Sequence, residues 1–130
     1  MPRIFITSHF QQGENKDEIE HLCSVVHSAG FEDFCFIRDV ENYEKVFNDA
    51  HELMKRTTEE IKKSDYLLLD MIDKPTGRAV EAGIAYAMGK KVILIAQKGT
   101  IIRDSVRGIS EKIIEYEKIE DIVPDLRQVL

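Results

Sequence analysis

The segment 64–95 constrains the fold most, because it contains two apolar runs on either side of a helical pattern. The runs Asp65–Met71 and Lys91–Ala96 are rich in leucine, isoleucine and valine, which is typical of strands buried on both faces. Between them, apolar and small residues recur at helical spacing over Gly77–Met88, and Gly89 marks the end of the helix. Two buried strands joined through a helix predict a parallel sheet with right-handed crossovers.

The rest of the chain alternates between strand and helix patterns in the same way. The predicted strands are Arg3–Thr7, Phe34–Ile37 and, at a sheet edge, Lys112–Tyr116, and the predicted helices are Lys16–Ala29, Tyr43–Lys63, Ile101–Val106 and Ile119–Leu130. This order of elements predicts one α/β domain over residues 1–130, with a parallel sheet covered by helices on both faces. Among such sheets we expect a flavodoxin-like strand order.

The charge balance argues against two classes of partner. The 130 residues include 18 Lys and Arg against 24 Asp and Glu, so the net charge is -6 at pH 7. A general binder of nucleic acid or of anionic membranes carries the opposite balance. No apolar run approaches the roughly 20 residues that cross a bilayer, and Met1–Gln11 lacks the features of a secretory signal. We therefore expect a cytoplasmic protein without nucleic-acid or membrane partners.

The two cysteines, Cys23 and Cys35, lie in apolar contexts without a CxxC pattern or histidines at ligand spacing. Both are predicted to be reduced residues of the core. The sequence accordingly predicts neither a metal site nor a cofactor.

Glu81 is the residue most suited to chemistry, because it lies in the first turns of the helix that follows the third strand. Small neighbours allow this helix to approach the sheet closely, and the dipole at its amino end favours an ionised carboxylate. A carboxylate held in a cleft can attack an anomeric carbon, where the transition state is cationic. A helix-start glutamate that faces water would explain the same spacing, so both interpretations stay open.

Candidate residues also flank the junction between the third strand and this helix. Asp70 closes the strand, where it could bind a sugar hydroxyl, protonate a leaving base or simply accept hydrogen bonds from loop amides. Gly77 and Arg78 open the helix and are candidate substrate-binding residues. Gly77 is expected to allow a sharp turn, with Thr76 as the helix cap.

Two other loops at the expected ligand edge carry polar or aromatic residues. Ser8, His9 and Phe10 follow the first strand; Ser8 could bind phosphate or ribose, and Phe10 could stack on a base. Arg103 and Ser105, with a further arginine two positions on, form a basic and hydroxylic cluster suited to a phosphate. Solvated loop residues and a solvated helix face explain the same patterns.

These residues resemble the nucleoside 2-deoxyribosyltransferase superfamily, which includes the deoxynucleoside monophosphate N-glycosidases. The resemblance rests on SDYLLLD at 64–70, GRAVEAGIAYAMGKKVI at 77–93 and FITSHF at 5–10, with a fainter Arg-Gly pair at 107–108. In that family the glutamate of the Glu-x-Gly-x-Ala pattern is the nucleophile, and Glu81 occupies that position. The resemblance also implies a flavodoxin-like sheet and a homo-oligomer, usually a dimer or a larger assembly, in which a neighbouring subunit completes the pocket.

Three positions depart from the pattern of that family. The aspartate that often precedes the third strand falls on Thr57, which cannot act as an acid. A tyrosine common in the first strand falls on Ile4, which has no hydroxyl to orient the nucleophile. The hydroxyl that binds phosphate in the monophosphate hydrolases falls on Arg103.

Three functions are compatible with the sequence. The first is cleavage of the N-glycosidic bond of a small-molecule nucleoside or nucleotide, with Glu81 as nucleophile and Asp70 assisting the leaving base. The second is a TIR-like NAD glycohydrolase, since such domains share the doubly wound sheet and place a glutamate on the helix after a middle strand. The third is a non-catalytic nucleotide-binding or interaction module, which Thr57 and Ile4 would suit.

Overall fold

A five-stranded sheet forms the centre of the protein. The structure is a computed structural model, and it describes residues 1–73 and 75–130. The strands are β1 Arg3–Thr7, β2 Glu32–Cys35, β3 Tyr66–Asp70, β4 Lys91–Gln97 and β5 Ser110–Tyr116. They lie in the order β2-β1-β3-β4-β5, and every neighbouring pair is parallel. This order confirms the predicted flavodoxin-like sheet.

Helices cover both faces of the sheet, as the alternating pattern predicted. They are α1 Lys16–Ser28, α2 Phe36–Asp39, α3 Ala50–Lys62, α4 Thr76–Ala87, α5 Asp104–Ile109 and α6 Val123–Val129, with a 3-10 turn at Ile119–Ile122. Helices α1 and α6 pack on one face, whereas α3 and α4 pack on the other.

The side chains of the central strands divide between these two faces by alternation. Ile6 of β1 and Leu68 of β3 belong to the core under α1 and α6. Phe5 and Leu69 belong to the core under α3 and α4. Because Asp70 is two residues beyond Leu68, its side chain falls on the α1/α6 side of the sheet.

The helix predicted over Tyr43–Lys63 begins later, at Ala50. Asn42 and Tyr43 have left-handed backbone angles, with φ of 48° and 61°, which a right-handed helix cannot contain. The helix starts where Asp49 accepts a hydrogen bond from the backbone N–H of His51 at 2.8 Å. The apolar residues before Ala50 therefore belong to a loop, although they matched the helical stripe.

The second strand also lies earlier than predicted, at Glu32–Cys35 instead of Phe34–Ile37. Cys35 pairs with Ile6 at the end of β1, and Phe36 already begins α2. The carboxylate of Asp39 accepts the backbone N–H of Cys35 at 2.9 Å, which stabilises the turn out of the strand. The short helix predicted at 101–106 is displaced in the opposite direction, because α5 begins three residues later than predicted, at Asp104.

Both cysteines are buried and free, as predicted for reduced core residues. Within 1–73 and 75–130, no helix has the length and apolar character needed to cross a membrane. The described residues also include no cluster of three or more metal-ligating side chains.

Candidate active site

A cavity of about 570 Å³ opens at the carboxyl edge of the sheet, which we call the Glu81 cavity. It lies at β1 and β3, where the chain reverses its direction across the sheet, and ligands of doubly wound folds bind at such switch points. Its walls come from the loop after β1, the residues after β2, helix α3 and the start of α4. Segments that are far apart in the sequence therefore contribute side chains to one concave site.

Glu81 reaches this cavity because α4 packs closely on the sheet. Ala82 and Ala85 face the sheet and are fully buried, so little side-chain volume separates the helix from the strands. The partly buried Glu81 thereby comes within reach of the end of β1, where its Oε1 accepts a hydrogen bond from Thr7 Oγ1 at 2.7 Å. The sequence did not identify Thr7 as the partner of Glu81.

Burial raises the pKa of Glu81 from its usual value to about 7. The hydrogen bond from Thr7 and the positive charge of Arg78 act in the opposite direction, while the negative charge of Glu41 adds to the increase. Near neutral pH both forms of the carboxyl group are therefore populated, so a nucleophilic carboxylate is accessible.

Arg78 is buried at the start of α4 and lines the same cavity. Its guanidinium donates hydrogen bonds to the backbone carbonyls of Asp70 and Ile72, the latter at 2.6 Å. Arg78 therefore joins α4 to the end of β3, in addition to lying close enough to Glu81 to lower its pKa.

Asp70 lines a different cavity, of about 230 Å³, on the α1/α6 side of the sheet edge. We call this the Asp70 cavity. The Tyr116 hydroxyl donates to Asp70 Oδ1 at 3.2 Å, and burial raises the pKa of Asp70 despite this bond. The sequence predicted that Asp70 would enter the same crevice as Glu81, but alternation along β3 turns it to the other side.

Ser8 and His9 line both cavities, so the loop after β1 forms the boundary between them. Asn15 holds this loop, because its side chain donates to the carbonyl of His9 at 2.7 Å and accepts from the backbone N–H of Gln11 at 2.8 Å. Of these two cavities, Phe10 lines the Glu81 cavity, and it remains 37 % exposed, so part of its side chain is accessible to a ligand.

Gly77 lies in the wall of the Glu81 cavity, as its predicted role requires, but its backbone is not left-handed. A Cβ atom at Gly77 would meet no atom within 4 Å, so glycine leaves open space there instead of permitting a sharp turn. The helix cap is Pro75, and Thr76 is the first helical residue.

The predicted phosphate cluster is separate from these cavities. Arg103 and Ser105 are exposed at the start of α5, and neither is among the described residues that line the Glu81 or the Asp70 cavity. Within this chain, the structure therefore does not bring them to Glu81.

The structure locates two of the positions that depart from the pattern of the resembled family, Thr57 and Ile4. Thr57 is buried in the wall of the Glu81 cavity, and its hydroxyl donates to the carbonyl of Leu53 at 2.8 Å. Ile4 is fully buried in the core under α1 and α6, away from the Glu81 cavity.

Glu41 is a site residue that the sequence reasoning missed. It lies after α2, lines the Glu81 cavity and is partly buried. Burial raises the pKa of its carboxyl group. No sequence motif identifies Glu41, and the residue lies just before the helix that was predicted to begin at Tyr43.

Solved structures of similar fold include two proteins that act on nucleosides or nucleotides. The CMP N-glycosidase BcmB from Clostridium botulinum is 24 % identical over 98 % of this chain and 99 % of its own, with a TM-score of 0.72. A 2-deoxyribosyltransferase from Bacillus psychrosaccharolyticus is also 24 % identical, over 93 % of this chain and 90 % of its own, with a TM-score of 0.68.

A conserved protein from Enterococcus faecalis V583 is similar along its whole length, with 17 % identity and a TM-score of 0.79 over 100 % of this chain and 99 % of that one. No family model matches the sequence, and no curated protein matches it. The comparisons establish the fold, which is the fold that the resemblance implied.

Proposed function

We propose that the protein cleaves the N-glycosidic bond of a nucleoside or nucleotide, with Glu81 as the nucleophile. The observation that carries this proposal is the placement of the Glu81 carboxyl group in a cavity at the sheet's switch point, hydrogen-bonded to Thr7. The activities of two structural neighbours, a CMP N-glycosidase and a 2-deoxyribosyltransferase, support the same class of substrate.

In the proposed reaction a carboxylate oxygen of Glu81 attacks the anomeric carbon and forms a glycosyl ester. The bond from that carbon to the base nitrogen breaks, and its electron pair leaves with the base. Water then attacks the same carbon and releases the sugar and the Glu81 carboxylate, and the proton that this water loses balances the proton that the departed base takes up. A second base in place of water would give a transferase, so the acceptor decides between the two outcomes.

We assign roles to four other groups of residues according to their positions in the lining of the Glu81 cavity. Phe10 offers a ring for stacking against the base, while Ser8 and His9 offer hydrogen bonds to the sugar. Gly77 leaves room beside the sugar, and Arg78 favours the ionised nucleophile. No cofactor is part of the proposed reaction.

Three predicted residues stay outside this set of contacts. Asp70 would act on the base only from the neighbouring cavity, and Arg103 and Ser105 would bind a phosphate only if the chain assembles with a second copy. We include a homo-oligomer and a cytoplasmic location in the proposal. Size-exclusion chromatography with light scattering checks the assembly.

A substrate screen tests the proposal. The protein is incubated with ribonucleosides, deoxynucleosides, their 5′-monophosphates and NAD, and chromatography detects free base or nicotinamide. We expect free base from at least one nucleoside or nucleotide, and none from the Glu81→Gln variant. Release of nicotinamide alone would favour the NAD glycohydrolase, and binding without turnover would favour the non-catalytic module.

A further inference from the structure

The Glu81 cavity holds a second partly buried carboxyl group, that of Glu41. The two glutamates come from different walls, because Glu41 follows β2 and Glu81 lies on α4 after β3. They are close enough for the charge of Glu41 to raise the pKa of Glu81. A nucleophile and a second carboxyl group therefore face one space.

The loop that carries Glu41 is fixed by its backbone. The N–H of Glu41 donates to the carbonyl of Phe36 at 3.1 Å, and the N–H of Tyr43 donates to the carbonyl of Ile37 at 2.8 Å. Asn42 and Tyr43 adopt left-handed angles, a costly conformation for residues other than glycine. These contacts fix the backbone of Glu41 beside the cavity, and its side chain lines the cavity wall.

The side chain of Glu41 has no hydrogen-bond or ion-pair partner among residues 1–73 and 75–130. The other ionisable side chains in the described wall of the cavity are His9 from the loop after β1, Asp73 after β3, and Arg78 and Glu81 from α4. Helix α3 contributes none, since its lining residues are Leu53, Met54 and Thr57. Arg78 is engaged by two backbone carbonyls.

Three other candidate acids are less suitable for a proton transfer beside Glu81. Thr57 stands where the resemblance places the acid, and its hydroxyl is bonded within α3. Asp70 faces the other cavity and accepts a hydrogen bond from Tyr116. Asp73 is exposed to solvent, whereas Glu41 is partly buried in the wall of the cavity.

We propose that Glu41 is the acid that protonates the departing base, an assignment that rests on the proposed function. As Glu81 attacks the anomeric carbon, the bond to the base nitrogen breaks and that nitrogen takes the proton of the Glu41 carboxyl group. The Glu41 carboxylate then accepts a proton from the water that attacks the glycosyl ester, which restores both glutamates. Burial raises the pKa of Glu41, which is the direction that favours the acid form of its carboxyl group.

The test compares two substrates that share the preferred sugar and differ in whether the leaving group needs a proton. One is the natural nucleoside or nucleotide. The other is its N7-methylated purine analogue or, for a pyrimidine-specific enzyme, the 4-nitrophenyl glycoside, both of which leave without protonation. Glu41→Gln keeps the size of the side chain and removes its acid. Glu44→Gln is the matched control, because Glu44 is exposed in the same loop and outside the cavity lining.

We expect Glu41→Gln to lower kcat on the natural substrate by about 10²-fold to 10³-fold and on the activated substrate by less than about 10-fold. Glu81→Gln should abolish turnover of both substrates, and Glu44→Gln should leave both unchanged. Equal losses of Glu41→Gln on both substrates would indicate a structural role and overturn the assignment, as would full activity on the natural one.

The two proposals fail in different ways. If the wild-type protein cleaves neither substrate, the proposed function fails, and the assignment of Glu41 fails with it. If the wild type cleaves both and Asp70→Asn shows the selective loss instead of Glu41→Gln, the function stands and the acid is Asp70. Thermal unfolding followed by circular dichroism checks that each variant is folded.

Discussion

The two cavities at the carboxyl edge of the sheet contain similar groups in different settings. In the Glu81 cavity, Glu81 accepts a hydrogen bond from Thr7 and faces a space of about 570 Å³. In the Asp70 cavity, Asp70 is buried against the Tyr116 hydroxyl and faces about 230 Å³. Burial raises the pKa of both carboxyl groups.

Because the pKa is raised in both carboxyl groups, a raised pKa alone does not identify the nucleophile. What separates the two sites is the space available to a substrate and the side of the sheet to which each group points. Alternation along β3 places the Asp70 side chain on the α1/α6 side of the sheet, whereas Glu81 lies on α4, which packs on the opposite face. We therefore expect catalysis to take place in the larger cavity, that of Glu81. The hydrogen bond in the smaller Asp70 cavity is expected to contribute to the stability of the fold.

The largest effect should come from removing the nucleophile. Glu81→Gln is expected to lower turnover by about 10³-fold or more, because an amide cannot form the glycosyl ester. Asp70→Asn, the matched change in the other cavity, should lower turnover by less than about 10-fold, since Asp70 does not line the Glu81 cavity. Initial rates of base release measure both variants, and equal losses would remove the distinction between the cavities.

Arg78 joins the two sites, because it binds the carbonyl of Asp70 and lies beside Glu81. Arg78→Met leaves one buried and one partly buried carbonyl group without their side-chain donors, so the free energy of unfolding should fall by about 2 to 4 kcal/mol. Arg107→Met is the control, because Arg107 is exposed on α5. Urea unfolding measures both variants, and an unchanged midpoint for Arg78→Met would contradict this role.

The hydrogen bond from Thr7 should set the pH at which Glu81 becomes a nucleophile. Since Glu81 must be deprotonated to attack, kcat/KM of the wild type should rise with pH around its pKa of about 7. Thr7→Val removes a bond that lowers this pKa, so the rising limb should move to higher pH. Activity at pH 6 should then fall by about 3-fold to 10-fold. A limb that stays in place would show that another group controls the rate.

The smallest change in activity should follow Tyr116→Phe, which alters the Asp70 cavity and not the Glu81 cavity. The variant removes the hydroxyl that donates to Asp70 and should reduce the free energy of unfolding by about 1 to 2 kcal/mol. Turnover should stay within about 2-fold of the wild type, because Tyr116 does not line the Glu81 cavity. A turnover loss as large as that of Glu81→Gln would place the chemistry in the wrong cavity.

The sequence predicted the sheet well because its central strands are continuous apolar runs. The strand β3 and the helix α4 lie within one or two residues of their predicted bounds, since glycine and polar residues mark the ends of these segments. The loop from residue 41 to residue 49 was predicted to be mostly helical. Its apolar residues fit a helical stripe, and only the left-handed angles at Asn42 and Tyr43 reveal the turn.

The candidate site was predicted in part. Glu81 and the loop after β1 could be located from the strand–loop–helix order, which gathers such residues at one edge of the sheet. The pairing of Glu81 with Thr7 and the presence of Glu41 depend on packing between segments far apart in sequence, which no local pattern encodes. Asp70 was placed at the correct edge, but its side of the sheet required the register of β3.

The most direct test of the account is mass spectrometry of the protein quenched during turnover of a 2′-fluoro-arabino nucleoside. The fluorine destabilises the cationic transition states and allows the glycosyl ester to accumulate. We expect the peptide that contains Glu81 to gain the mass of the fluorinated sugar, and the Glu81→Gln variant to remain unlabelled. Release of the base with no label on that peptide, or equal labelling of the variant, would contradict the account.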